Sequence, residues 1–121
     1  MKHTQLKKVI DSIIDIADAK KAEDLRAYFV AEKNWMTEFV VVIGVLNKIQ
    51  SKSILEDIEN FASSLDNRDD FFDFPRISGT SESGWVIIDL NSIVIHCVDQ
   101  QSRSFYEIDS LLELQGEVYH Y

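Results

Sequence analysis

Trp85-Val86-Ile87-Ile88-Asp89-Leu90-Asn91-Ser92-Ile93-Val94-Ile95-His96-Cys97-Val98-Asp99 carries the clearest strand signal in the chain. Two runs rich in β-branched residues, 85–90 and 93–99, flank Asn91-Ser92, a two-residue connection in which Asn tolerates positive φ, so the stretch predicts a hairpin. A turn of that length sets the register, with Leu90 facing Ile93 and Asp89 facing Val94. Strand alternation then gathers Val86, Ile88, Leu90, Ile93, Ile95 and Cys97 on one wholly apolar face. The opposite face carries Trp85, Ile87, Asp89, Val94, His96 and Val98. Two readings of that second face stand. A helix covers it, with Asp89 and His96 hydrogen-bonded diagonally across the strands, or it is a partner-binding patch with Trp85 as its aromatic anchor.

Working outward, region 6–19 sets Leu6, Val9, Ile10, Ile13, Ile14 and Ala17 at helical spacing and predicts an amphipathic helix. Short strands are predicted over 24–31 and 38–44, separated by Glu32-Lys33-Asn34. Val40-Val41-Val42-Ile43 lacks polar alternation, as a strand covered on both faces near the middle of a sheet does. A second helix is predicted over 48–65, its stripe running through Ile49, Ser53, Leu55, Ile58, Phe61, Ala62 and Leu65. After a charged break at 66–70, segment 71–77 reads as a short strand that Pro75 confines to an edge or a bulge, and 78–84 as a flexible loop. Past the hairpin, a last helix starts at Ser102 or Ser104, runs through Phe105, Ile108, Leu111 and Leu112, and ends by Gly116. The order α-β-β-α-β-β-β-α predicts a single α/β domain over 1–121, with a mixed, α+β-like sheet flanked by helices.

A chain of 121 residues, 45% of them hydrophobic, suffices for one core and not for two. Lys and Arg number 12 against 21 Asp and Glu, a net charge of -9 that opposes binding to DNA or RNA phosphates and suits a basic partner, besides serving solubility. The one cysteine, Cys97, cannot form an internal disulfide, which points to a reducing, cytoplasmic setting. The basic residues at 2–8 are followed by Asp11, Asp15 and Asp18, unlike a secretory segment, and the apolar run 39–46 is far short of the roughly 20 residues that span a bilayer.

Catalytic and metal-binding patterns were sought and not found. His96 and Cys97 are adjacent on a strand, so their side chains point to opposite faces and cannot chelate one ion. Cys97 lies on the apolar face, where it acts as a small hydrophobe. No Gly-x-Gly-x-x-Gly or Gly-Lys-Ser/Thr loop occurs, and Gly44 is followed by Val45-Leu46-Asn47-Lys48. The pairs Glu107/Asp109, Asp69/Asp70 and Glu23/Asp24 have no phosphate cradle near them and read as a solvated acidic face. The expectation is no enzyme, no cofactor and no metal.

Residues 84–97 followed by Arg103-Ser104-Phe105-Tyr106-Glu107-Ile108-Asp109-Ser110-Leu111 closely resemble the ribosomal silencing factor family, also called the Iojap or RsfS family. Lys20-Lys21-Ala22-Glu23-Asp24-Leu25 looks like that family's first helix-to-strand junction, and Thr37-Glu38-Phe39-Val40-Val41-Val42-Ile43-Gly44 like its Thr-Asp-Tyr-Phe-Val-Ile strand. The resemblance covers about 6–112, leaving 113–121 as an extension without an assigned role. It implies binding to the large ribosomal subunit through large-subunit ribosomal protein fourteen, steric obstruction of joining with the small subunit, and thereby repression of translation. Carried over residue by residue, the ribosomal-protein contact falls on Trp85, Asp89, His96, Arg103, Tyr106 and Glu107.

The chain departs from the family pattern at three places. After Gly44 the usual Thr-Ser-Ser-Arg-His-Val is Val45-Leu46-Asn47-Lys48-Ile49-Gln50, with Lys48 as the only evident cation; the usual Gly-Asp turn is Asn91-Ser92; and the usual Leu-Trp is Leu111-Leu112. The family's sheet is similar to that of nucleotidyltransferases, but such an enzyme wants Gly-Ser at a helix start and Asp-x-Asp on the next strand, and the chain has neither. A homodimer or other homo-oligomer, using the same exposed hairpin face, is the alternative from a different class. The sequence does not decide whether ribosomal RNA is also touched.

Overall fold

The computed structural model describes residues 2–30, 37–65, 72–114 and 117–121. The elements are α1 (Lys2–Ala19), β1 (Glu23–Phe29), β2 (Phe39–Val45), α2 (Lys48–Ser63), β3 (Phe72–Thr80), β4 (Trp85–Asn91), β5 (Ile93–Asp99), α3 (Gln100–Phe105), α4 (Ile108–Glu113) and β6 (Glu117–His120). Among the described residues the strands form one sheet in the order β3-β4-β5-β2-β1-β6. β2 and β5 run parallel and all other neighbours antiparallel. This is the mixed sheet that the hairpin and the Val40–Ile43 run predict.

The hairpin has the expected register, with Asp89 opposite Val94 and Val86 opposite Cys97, and Asn91 takes φ +79. Val86, Ile88, Leu90, Ile93, Ile95 and Cys97 are all fully buried. They meet Phe39, Val41 and Ile43 of β2, and α1 and α2 cover this face through Leu6, Ile10, Ile13, Ile54 and Ile58. β2 is buried at all seven positions. Its other side, Val40 and Val42, joins a smaller cluster with Tyr28, Val30, Val98, Ile108 and Leu112, covered by α3 and α4.

Several elements differ from the sequence reading, each for a local reason. The buried stripe of α2 is Ser51, Ile54, Ile58 and Ala62, whereas Ile49 is exposed. Ile49 lies two residues before Ser51, about 200° around the helix. The first turn is held in that rotation by Gln50, whose Oε1 accepts from Leu46 N at 2.6 Å and whose Nε2 donates to Lys20 O at 2.9 Å. Segment 78–84 is no loose loop: β3 continues to Thr80, and a single 3-10 turn, Ser81–Ser83, follows. Thr80 and Ser83 cap each other there, and Gly84 closes the turn at φ +81. β3 does lie at the sheet edge, with a register irregularity between Phe72 and Arg76 that includes Pro75. The tail beyond Leu112, to which the sequence assigned no role, adds β6 as an edge strand on β1, with Val118 opposite Tyr28 and Tyr119 opposite Ala27. The charged breaks at 32–34 and 66–70, and the expected helix limit at Gly116, lie outside the described residues.

The last helix is two. Asp99, rather than Ser102 or Ser104, caps α3, its Oδ1 accepting from Ser102 N at 2.7 Å. The helical path then breaks at Glu107, which takes φ +49. One bond explains the break. Arg103 Nε and Nη2 donate to the two oxygens of Asp109 at 2.6 and 3.0 Å. Residues six apart on one continuous helix point about 240° away from each other, so this bidentate pair requires the turn between them. Asp109 is therefore not the solvated acid expected of the Glu107/Asp109 pair. Arg103 is only 4% exposed, and its guanidinium also lies against Gly44, where a Cβ would stand 3.2 Å from Nη1 and 2.5 Å from Glu23 O.

Replacing Asp109 with Ala leaves that buried guanidinium without its carboxylate, a loss of about 3 kcal/mol or more in urea unfolding. An Arg103→Met, Asp109→Leu double variant should recover much of it, because the uncompensated charge is gone. A single variant as stable as the parent would show that the pair does not hold α3 and α4 in place.

Candidate functional site

Three side chains from separate elements converge where α3 and α4 lie on the polar face of the hairpin. Trp85 opens β4 opposite Val98 and His96 lies on β5 two residues before Val98, on the same face, so the indole and imidazole meet diagonally. Trp85 Nε1 donates to His96 Nδ1 at 2.9 Å. Tyr106, at the break after α3, places its ring centroid 5.1 Å from that of Trp85, and Phe105 meets Tyr106 edge-on at 4.9 Å. Trp85, His96, Tyr106, Ile108, Leu111 and Leu112 line a predominantly apolar depression of about 300 Å³. Phe105, Tyr106, Leu111 and Leu114 are each more than half exposed, a concentration of apolar surface on two short helices that marks an interaction face more often than a solvated one.

The floor of this site is held by charge. Asp109 accepts from Arg103 and, at 2.6 Å, from Tyr28 Oη on β1, while Arg26 Nη1 lies 3.7 Å from the same carboxylate and 3.5 Å from Glu113. Burial alone would push the Asp109 carboxyl up, but its bonds from Arg103 and Tyr28 outweigh that and hold it below the usual range. Burial and the bond to Asp109 push the Tyr28 phenol up to about 12. His96 responds in the other direction. Burial lowers its imidazole to about 4, so the ring is neutral at ordinary pH and Nδ1 is free to accept the indole proton.

Of the six residues that the resemblance nominated, Trp85, His96 and Tyr106 are brought together. Glu107 is exposed at the break beside them, where its strained backbone turns the chain into α4. Arg103 lies inside the fold, bound to Asp109, and its service to the site is to seat the two helices. Asp89 stands toward the far end of the hairpin, where it accepts from Asn91 N at 2.8 Å and pairs with Arg76 at 3.6 Å. The diagonal bond expected between Asp89 and His96 is thus made by Trp85 and His96 instead. Of the positions along the expected last helix, Ile108 and Leu112 are buried, whereas Phe105 and Leu111 are exposed.

The crevice where a nucleotide binds in many α/β sheets lies beyond the carboxyl ends of neighbouring parallel strands whose connections leave to opposite faces. β2 and β5 form such a pair, followed by α2 on one face and α3 on the other. Three backbone donors there are engaged by the chain's own side chains: Leu46 N by Gln50, Gln50 N by Asn47, and Ser102 N by Asp99. Lys48, the cation noted in the divergent loop, is the exposed first residue of α2. Among the described residues no group of three or more His, Cys, Asp or Glu side chains is arranged to hold a metal ion, and no helix is long and apolar enough to cross a membrane.

The family model for the ribosomal silencing factor during starvation matches residues 3–118. The chain belongs to the ribosomal silencing factor family. A ribosomal silencing factor of Halalkalibacterium halodurans is 22% identical over 111 residues, covering 87% of this chain and 91% of the relative. That of Bacillus subtilis is 25% identical over 104 residues, covering 83% and 84%. Two solved structures share the fold. A Chromobacterium violaceum protein superposes with a TM-score of 0.73 at 16% identity, over 92% of this chain and 87% of its own. A Bacillus halodurans protein gives 0.68 at 21%, over 89% and 93%. Membership makes the chain a ribosome-associated regulator of translation in class, and the match extends the resemblance read at 6–112 into the first half of β6.

The His96 environment predicts a pH dependence. Its folded pKa near 4 lies below the unfolded value of about 6.5, so the unfolded chain takes up the proton first as pH falls. The stabilisation is complete above about pH 6.5 and is lost toward pH 4, with a ceiling of about 3 kcal/mol. Urea midpoints should fall between pH 6.5 and 5 in the parent and much less in His96→Asn. Equal slopes would mean that burial of the neutral ring does not contribute to stability.

Proposed function

We propose that this chain silences translation by binding the large ribosomal subunit through ribosomal protein fourteen, with the Trp85–Tyr106 face as the contact, and that by occupying that surface it keeps the small subunit from joining. The observation that carries this reading is the exposed aromatic and aliphatic surface around the 300 Å³ depression, on a domain of net charge -9. Ribosomal proteins are generally basic, so the domain's field favours encounter while the apolar centre supplies the contact energy. Trp85 fits the role of central anchor: its ring packs against the second core cluster on one side and lines the depression on the other. Tyr106 and Phe105 extend the aromatic surface, and Glu107 and Glu113 give it an acidic rim. The mode of action is occupancy without chemistry, in keeping with a switch-point crevice where three backbone donors are internally engaged. The domain acts in the cytoplasm, where ribosomal subunits are found.

Sedimentation with purified large subunits, small subunits and joined ribosomes tests the reading. The protein should travel with large subunits alone, and it should lower subunit joining when added first but not when added after joining. Trp85→Ala should weaken large-subunit binding by about 30-fold or more while the domain still folds, because the main core lies on the opposite face of the sheet. Absence from all three particles, combined with self-association at the same concentrations, would replace ribosome binding with the homo-oligomeric reading.

A further inference from the structure

The depression that Trp85 and Tyr106 frame is predominantly apolar, and His96 lies in its wall. Its imidazole is committed at Nδ1, which accepts the Trp85 indole proton at 2.9 Å. A nitrogen that accepts cannot carry the proton of a neutral ring, so the proton resides on Nε2. Among the described residues His96 makes no other hydrogen bond. Among the described residues the fully buried side-chain atom left without a partner is Arg103 Nη1, so the unbonded Nε2 is not fully buried. The predominantly apolar lining therefore includes a donor whose tautomer is fixed, His96 Nε2–H. The ring holds that state at ordinary pH because burial keeps it neutral.

We propose that His96 Nε2–H is the specificity-determining donor of this site: it reads a backbone carbonyl on the partner segment whose apolar side chain fills the depression, and Trp85 sets the donor by selecting the tautomer. The inference rests on the proposed ribosomal-protein contact and adds the chemistry by which the contact is read. The occupant is a segment of a basic protein, matched to the chain's net charge of -9 and to the acidic rim at Glu107 and Glu113. The segment presents an aliphatic or aromatic side chain flanked by an unpaired carbonyl, as an extended strand edge or a turn does. A donor placed in an apolar pocket discriminates strongly, because a partner without an acceptor there leaves the N–H buried and unbonded. Trp85 and His96 are then two parts of one device, and neither works fully without the other.

Two isosteric variants take the device apart. In His96→Asn the amide oxygen occupies the place of Nδ1 and keeps the indole bond, while nothing reaches the Nε2 position. In His96→Gln the amide nitrogen reaches the Nε2 position and the acceptor at Nδ1 is lost. Binding to purified large ribosomal subunits is measured for both, alongside Trp85→Ala, in a Trp35→Phe background where fluorescence reports Trp85 alone. His96→Asn should leave the Trp85 emission near that of the parent and weaken binding about three- to tenfold, the range for one net hydrogen bond. His96→Gln should recover most of that loss, and nitrogen NMR of the parent should show the proton on Nε2. The inference is overturned if His96→Asn binds like the parent while Trp85→Ala does not, if both His96 variants are equally weak, or if the proton resides on Nδ1. Parent-like binding by Trp85→Ala, or no binding by the parent itself, would instead remove the underlying site, a result distinct from any of those three.

Discussion

Strand β2 is buried at every one of its seven residues, so both faces of the sheet must be covered before this sequence can fold. The two covers are unequal. On one side α1 and α2, of 18 and 16 residues, supply long amphipathic faces that bury the larger cluster. On the other side the cover is two helices of six residues each, too short to persist without tertiary support. Ile108 and Leu112 fasten them to Tyr28, Val40, Val42 and Val98. The small cover shields the inner ends of the strands and leaves its own aromatic residues outside. The candidate binding face is a consequence of that economy: a cover large enough to satisfy β2 and too small to hide Trp85, Tyr106 and Leu111 completely.

Charge supplies what apolar contact cannot at this scale. The Arg103–Asp109 pair is bidentate and partly withdrawn from water, and Tyr28 adds a third bond from the sheet. A pair of this kind contributes less to net stability than to uniqueness, since removing one partner is costly while an apolar replacement of both is tolerated. Here its consequence is geometric. It requires the break at Glu107, beside which the Tyr106 ring meets Trp85. Substitutions in this network therefore act on the placement of α3 and α4, even though Arg103 itself is almost fully enclosed.

The same logic links His96 to function. A neutral imidazole surrounded by apolar groups is worth keeping only if its hydrogen bonds are used, and one of the two is used internally by Trp85. Burial of this ring stabilises its neutral form, and in the proposed contact that form offers a donor with a defined direction. At the switch-point crevice of the sheet, by contrast, Gln50, Asn47 and Asp99 bond backbone donors of the chain's own turns.

By itself the sequence determined the hairpin register, the apolar face from Val86 to Cys97, the central place of the Val40–Ile43 run, the edge position of the Pro75 strand and the family. These follow from spacings of two and from a two-residue turn, which act between residues close in the chain. The rotation of α2, the split at Glu107, the strand 117–120 and the Trp85–His96 bond were decided only by the tertiary structure. Each depends on a partner distant in sequence or on another element: Gln50 on Lys20, β6 on β1, Asp109 on Tyr28, Trp85 on a neighbouring strand. Period and propensity carry no information about such partners. The polar face of the hairpin was legible as unusual from its Trp, Asp and His. Which two of the three would bond was not, because that choice is made by the packing of α3 and α4 over one end of the sheet while Arg76 takes Asp89 at the other.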